Sequence, residues 1–448
     1  MEYQAFKEAV VARCRELGLE EYELYYQSAR STNVGIYENE VNEFTGNEEG
    51  GVCFRCIVDG KMGYASTEAM GAEEARQLVS RAMDNAAHLE TVDRVFLGQG
   101  GQTYPPIPDK RYALPTTEEL IASALSAQQA LYRADESVTE GTTTEGIIER
   151  SEIAICNSNG LDLSYVNQMS GLVTVAVVAK DGEMSNDFRF RLGKTDEIDS
   201  EALAKETVEG ALKKLGGEPA PTGQWPVVFS YEAMADLLHT FSGIFSSEAA
   251  QKGLSKLAEA EGTVIAADCV TIVDDPCHPE SPAPVPFDAE GSPTVRKNVV
   301  EGGVLNTLLY NLKTAYKAGK TTTGNASKGS YQSPLGIRPF TMYLAPGTHT
   351  REQLLELAGE GVYIDSLQGL HAGANGVSGD FSLQSAGYWI ENGKLTKRVK
   401  SFTVAGNFYE VLKNITALSH RSRLHNALGV TAFGAPDVLV RGLSIAGK

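Results

Sequence analysis

An acidic or amide residue followed by glycine, set between runs of alternating apolar and polar side chains, most limits what this chain can become. Asp59-Gly60, Asp181-Gly182 and Asn392-Gly393 each separate two such runs. The tightest hairpin turns need positive φ at their central positions, and glycine adopts it without steric cost. Glu301-Gly302-Gly303 repeats the strand, turn, strand pattern, and Asn157-Ser158-Asn159-Gly160 marks a further turn. Much of the chain is thereby committed to antiparallel sheet.

Around these turns, period-two alternation predicts strands at 22–26, 31–44, 50–58, 147–156, 161–179 and 183–192. Helical spacing appears at 2–18, where Phe6, Val10, Cys14 and Leu17 form one stripe. It recurs at 72–90, 116–133 and 198–215. A polar, Pro-rich link runs from Gln99 to Pro115. Gly216 to Gly223, with Pro219 and Pro221, gathers helix stoppers and flexible residues, and the domain division is placed there. The expectation is an N-terminal α+β domain of α/β-type layers, residues 1–222, and a strand-rich C-terminal domain built of hairpins, residues 223–448. Strands at 381–390 and 437–445 belong to the latter. Helices stand apart from hairpins, so α+β is expected rather than alternating α/β.

Charge excludes one class of partner. The formal net charge is −19. Nucleic acid affinity comes mainly from Lys and Arg neutralising phosphates, and no basic cluster offsets the acidic balance. Lys394, Lys397, Arg398 and Lys400 are read as the wet face of a hairpin strand. No apolar window approaches a membrane span, and the first residues lack a signal peptide's apolar core. Six cysteines in so long a chain do not make a disulfide framework. The cytoplasm is the expected compartment.

The candidate chemistry starts in the stretch Ser230 to Phe245, read as a helix entered directly from a strand. Met234, Leu237, Leu238, Phe241 and Phe245 form its buried stripe, and His239 lies on the flank. Catalytic zinc wants three protein ligands and an open position, usually with a carboxylate to handle the proton. Here Thr240 follows the histidine, and position 244 is Ile. Cys53 and Cys56 spell C-x-x-C, but in a strand residues three apart point to opposite faces. Asp274-Asp275-Pro276-Cys277-His278 gathers ligand types in one loop with Cys269 upstream, and its prolines favour a rigid extended segment. Two glycine-rich stretches, 324–329 and 369–380, lack the ending of a phosphate loop. They suit close approach of backbone or of an extended peptide, which makes Asn325, His371, Asn375, Ser378 and Asp380 the substrate-binding candidates. A serine nucleophile elbow is absent.

Several segments in order along the chain resemble the TldD/PmbA family, and its PmbA (TldE) branch in particular. They include Val58-Asp59-Gly60-Lys61-Met62-Gly63-Tyr64, Pro286-Phe287-Asp288-Ala289-Glu290-Gly291-Ser292, Leu309-Tyr310-Asn311-Leu312 and Thr323-Gly324-Asn325-Ala326. Val377-Ser378-Gly379-Asp380-Phe381 and Trp389-Ile390-Glu391-Asn392-Gly393 complete the set. The resemblance implies a two-domain, cytoplasmic α+β protein concerned with processing small proteins and peptide precursors. Members have also been labelled modulators of DNA gyrase.

In the TldD branch, His-Glu-x-x-x-His and a distant Cys bind zinc. Laid onto this chain, the first His falls on His239, the Glu on Thr240 and the second His on Ile244. The region matching the Cys, Arg423 to Val430, contains none. A spacing of five is about 140° around a regular helix, so two imidazoles converge there only if the helix ends or distorts between them. The resemblance therefore implies a chain with no metal or cofactor of its own, paired with a homologous TldD-type chain that carries zinc, and a homodimer when alone. The substrate would be a peptide or unfolded protein. Two alternatives stand beside it. One is a stand-alone metallopeptidase using His239 with the Asp274–His278 loop, and the other a non-enzymatic interaction protein.

Overall fold

A computed structural model describes residues 2–90, 94–107, 112–425 and 431–447. The chain divides into two compact units. The first comprises Met1–Leu97, Asp109–Gly216 and Ser330–Gln332. The second comprises Gly98–Pro108, Gly217–Gly329 and Ser333–Lys448.

The first unit contains α1 (Tyr3–Glu16), β1 (Tyr22–Tyr37), β2 (Glu40–Val58), β3 (Lys61–Thr67), α2 (Ala72–Ala87), α3 (Thr117–Ala134), β4 (Thr143–Asn157), β5 (Asp162–Lys180), β6 (Glu183–Leu192) and α4 (Ser200–Lys213). Its sheet runs β3-β2-β1-β4-β5-β6, antiparallel throughout. Asp59 and Gly60 take φ of 50° and 75°, and Asp181 and Gly182 take 53° and 80°, so both turns form where the residue pairs placed them. The strand expected over 31–44 is instead broken by a hairpin turn at Glu38 and Asn39, with φ of 50° and 63°. No glycine marks that turn, and asparagine's tolerance of the left-handed region is the main local cue.

All four helices lie on one face of this sheet. Phe6, Val10 and Cys14 of α1 and Leu78, Val79 and Ala82 of α2 cover Leu24, Val52, Phe54 and Cys56. Leu120 and Ala124 of α3 cover Val34, Ile36 and Leu172. Ala204, Val208 and Ala211 of α4 cover Ala176 and Val178. Leu17 lies past the end of α1 and is exposed rather than part of the stripe. Cys56 joins the helix-side core, where burial pushes its thiol up to about 11. Cys53, an odd number of strand positions away, points to the opposite face. On that face Arg55 and Glu23 form a buried ion pair at 2.7 Å, with the Asn157 amide donating to the other carboxylate oxygen at 3.2 Å.

The second unit contains β7 (Gly223–Phe229), α5 (Tyr231–Phe241), α6 (Ser247–Gln251), β8 (Ile272–Asp274), β9 (Lys297–Glu301), β10 (Val304–Leu305), α7 (Leu312–Lys317), β11 (Ala326–Ser327), β12 (Gly336–Ile337), β13 (Thr341–Leu344), α8 (Arg351–Ala358) and β14 (Gly361–Gln368). It continues through α9 (Leu370–Gly373), β15 (Asp380–Glu391), β16 (Lys394–Asn407), α10 (Phe408–Asn414), β17 (Ile415–Leu418), β18 (Arg423–His425), β19 (Ala432–Ala435) and β20 (Val438–Ala446). One sheet runs β16-β15-β14-β7-β20-β17, and an added β16–β20 pairing closes its first five strands into a ring. A second sheet runs β10-β9-β8-β13-β19-β18. Beside the expected hairpins β9–β10 and β15–β16 stand two parallel pairings, β7–β14 and β13–β19. The apolar side of α5 shares one core with both sheets: Met234, Leu237, Leu238 and Phe241 meet Val227, Ile364, Ile272 and Phe433.

Candidate functional site

The helix α5 begins at a pinned terminus. The Ser230 hydroxyl accepts from the Ala233 N–H at 3.2 Å, a serine N-cap. The Tyr231 N–H donates to Asp437 at 2.8 Å, and the other oxygen of Asp437 accepts from Arg351 Nε at 2.6 Å. Arg351 in turn lies over the Tyr363 ring at 5.4 Å. These contacts join the start of α5 to the start of β20 and to α8.

At its other end the α-helix stops at Phe241, and Ser242–Phe245 form a 3-10 turn. The helix therefore breaks between positions 239 and 244, as a spacing of five would require for two convergent side chains. Ile244 does not use that opening, because it is 1 % exposed and packs into the core. The Thr240 hydroxyl donates to the Asp236 carbonyl of its own helix at 2.8 Å. His239 is exposed at its edge, yet its ring stacks on Phe433 at 4.4 Å and 21°. Burial of that face holds the imidazole below its ordinary value, and Asp236 opposes the shift.

A second imidazole reaches the same helix from the segment matched to the sibling's cysteine. His425 pairs across β18–β19 with Phe433, the residue under His239. Its Nε2 lies 3.6 Å from Asp236. Arg423 on the same strand sits over the Tyr231 ring at 5.1 Å. The sequence separates β18 from α5 too widely for spacing to reveal this, and only the resemblance connects the two segments. Positions 426–430, the rest of the segment matched to the sibling's cysteine, lie outside the described residues.

Among the described residues, no three His, Cys, Asp or Glu side chains gather closely enough to hold a metal ion. The donors present around α5 thus do not fit a catalytic zinc, which needs three protein ligands. The Asp274–His278 loop does not complete one with His239. Asp274 is fully buried and accepts from Phe340 N at 2.9 Å, Asn325 Nδ2 at 2.8 Å and Lys297 Nζ at 3.1 Å. Cys277 donates to the Val285 carbonyl at 3.7 Å, and burial raises its thiol. His278 Nδ1 accepts from Glu280 N at 3.1 Å. Cys269 is exposed.

The five substrate-binding candidates are not brought to one surface. Asn325 is 0 % exposed, its amide donating to Asp274 and to the Arg338 carbonyl while its oxygen accepts from Thr323. It braces two loops and offers nothing outward. The remaining four share the segment after β14. Asn375 Oδ1 accepts from Val377 and Ser378 N–H, both at 3.0 Å. The Ser378 hydroxyl accepts from Asp380 N at 3.3 Å, and Asp380 accepts from Asn407 Nδ2 at 2.7 Å, a bond that holds its carboxyl below the usual range. Three backbone N–H groups of the loop are thus bonded by its own side chains. His371 is exposed on α9, which packs beside α5.

Comparison with known proteins places these features. The chain is similar to the metalloprotease PmbA of Escherichia coli O157:H7, 25% identical over 420 residues, covering 92% of this chain and 89% of that one. It is similar to a metalloprotease of Methanothermobacter thermautotrophicus, 26% identical with 89% and 87% covered. In structure it matches a candidate modulator of a DNA gyrase from Thermotoga maritima with TM-score 0.89 and 29% identity, over 99% and 100% of the two chains. TldE from Thermococcus kodakarensis has the same fold, with TM-score 0.86 and 22% identity over 99% and 100%. Residues 22–86 match the PmbA/TldA metallopeptidase domain 1 and residues 111–215 its central domain. The match to the PmbA/TldA metallopeptidase C-terminal domain spans residues 222–447, from the strand before α5 to the last strand of the chain, so the chain belongs to the PmbA/TldA metallopeptidase family.

Proposed function

We propose that this chain is the PmbA/TldE-like subunit of a two-chain zinc metallopeptidase that processes or degrades small unfolded proteins and peptide precursors in the cytoplasm. A TldD-type partner holds the metal, and this chain completes the walls around the substrate. The observation that carries the reading is Ile244. It occupies the second-histidine position, the helix breaks before it as two converging ligands would need, and its side chain is in the core. Thr240, in the glutamate's place, spends its hydroxyl on its own helix. Neither residue can bind a divalent cation in place of an imidazole or move a proton in place of a carboxylate.

The chain's own contribution is to bind and orient. β18 is the last strand of its sheet, and an extended peptide can add to such an edge through main-chain hydrogen bonds. His371, on α9 beside α5, and the edge of His239 are exposed imidazoles available to flank it.

The test is peptide cleavage by this chain alone, by a TldD-type chain alone and by both together, with zinc measured in each. Stoichiometric zinc is expected in the partner and in the mixture, and full cleavage in the mixture. Stoichiometric zinc and cleavage in this chain alone would overturn the reading. A photoreactive peptide bound to the pair should label β18 or α9, and labels confined to the partner would remove the wall-forming role.

A further inference from the structure

The chain holds three Asn-Gly pairs, Asn159-Gly160, Asn375-Gly376 and Asn392-Gly393. Asparagine before glycine is chemically labile. The next backbone nitrogen can close a ring onto the side-chain carbon, and glycine has no Cβ to hinder that approach. Two of the pairs are guarded. Gly393 is buried and its N–H donates to the Gly359 carbonyl at 2.8 Å, while the Gly160 N–H donates to the Asn157 carbonyl at 3.3 Å. The Gly376 N–H makes no hydrogen bond among the described residues.

The electrophile beside it is also prepared. Asn375 and Gly376 are both exposed, and a Cβ at Gly376 would meet nothing within 4 Å. The Asn375 side-chain oxygen accepts from the Val377 and Ser378 N–H groups, both at 3.0 Å. Two donors on a carbonyl oxygen polarise its carbon and steady the oxyanion that forms when a nucleophile adds. Among the described residues the side-chain oxygens of Asn159 and Asn392 accept from no backbone N–H.

We propose that Asn375 is a site of spontaneous deamidation and isomerisation in the loop between α9 and β15. The Gly376 nitrogen loses its proton and bonds to Asn375 Cγ, the Cγ–Nδ2 bond breaks, and ammonia leaves with a proton. Water then opens the succinimide. Opening at Cγ leaves aspartate at position 375. Opening at the main-chain carbonyl leaves isoaspartate, with the chain running through Cβ and Cγ. This second product displaces the acceptors of the Val377, Ser378 and Gly379 N–H groups, the last of which donates to the Asn375 carbonyl at 2.9 Å. It thereby loosens the loop from Asn407, whose Nδ2 donates to the Ser378 carbonyl at 2.9 Å.

The experiment ages the whole chain at mildly alkaline pH and follows each pair by peptide mapping, from the mass gained when amide becomes acid. Isoaspartate is counted by enzymatic carboxyl methylation with S-adenosylmethionine, and synthetic peptides spanning each pair give the unfolded rates. Asn375 should convert in the folded chain at least as fast as in its peptide, and about tenfold or more faster than folded Asn159 or Asn392. Gly376→Ala, at a position outside the left-handed region, should leave the melting temperature unchanged and slow Asn375 about tenfold. Protease cleavage within 374–380 should rise with the isoaspartate content of the aged chain and stay low in aged Gly376→Ala. Slower conversion of Asn375 in the folded chain than in its peptide would mean that the two N–H bonds hold the amide away from Gly376, and would overturn the proposal. Equal rates at all three pairs would overturn it too. Isoaspartate at position 375 without added cleavage would overturn the loosening of the loop.

Discussion

Asp274 stands beside Asp275, Cys277 and His278, all of metal-ligating type, yet it acts as a structural hub. Its two oxygens hold a backbone N–H, an amide and Lys297, whose side chain is 9 % exposed. Replacement by Ala strands a nearly buried ammonium, so Asp274→Ala should cost about 3–5 kcal/mol in a urea titration. Asp274→Asn keeps hydrogen-bonding capacity and should cost less. His239 supplies a second test. Its folded pKa lies below its unfolded one, so the unfolded chain binds more protons in that window. The contribution of His239 to stability is therefore largest above the ordinary imidazole range and falls as pH drops through it. Phe433→Ala should move the NMR titration midpoint of His239 back up, since the stacked ring is what covers it. An unmoved midpoint would assign the shift elsewhere.

At the scale of elements, the sequence was most legible where chemistry is local. Asp-Gly and Asn-Gly fixed three hairpins, and apolar periodicity located α1 to α4 within a few residues. The Glu38-Asn39 turn was missed because it lacks glycine and interrupts two strands of matching alternation. The ring closed by β16–β20 and the parallel β7–β14 pair join segments far apart in the chain, which no local pattern announces. The candidate site divides likewise. His239 and the flank of α5 were readable, whereas the approach of His425 to Asp236 depends on tertiary packing. In the glycine-rich segment 369–380, read as suiting close approach of backbone or of an extended peptide, Asn375 and Ser378 bond to backbone N–H groups of the loop itself, which no residue pattern announces. A prediction belongs here: Ser230→Ala removes the α5 N-cap and should lower stability by about 1 kcal/mol, seen as a reduced denaturation midpoint. An unchanged midpoint would mean that Asp437 alone secures the helix start.

For the molecule as a whole, charge sets the widest constraint. With −19 net charge, the chain should show no binding to a labelled DNA duplex by fluorescence anisotropy at about 0.15 M salt, where screened contacts leave an acidic surface without attraction. Saturable binding would sink that expectation and favour a direct nucleic acid role. Among the described residues no helix is long and apolar enough to cross a membrane. The order in which the units are completed matters too. Tyr331 belongs to the first unit, where its ring closes over Gly51, at which any Cβ would come within 2.6 Å, and its hydroxyl donates to Glu68. A nascent chain released only as far as Gly216 still lacks that keystone. The ribosome must synthesise well into the second half before the first can be sealed, so a translation pause or truncation between the two should expose the strand around Gly51 to proteases or chaperones.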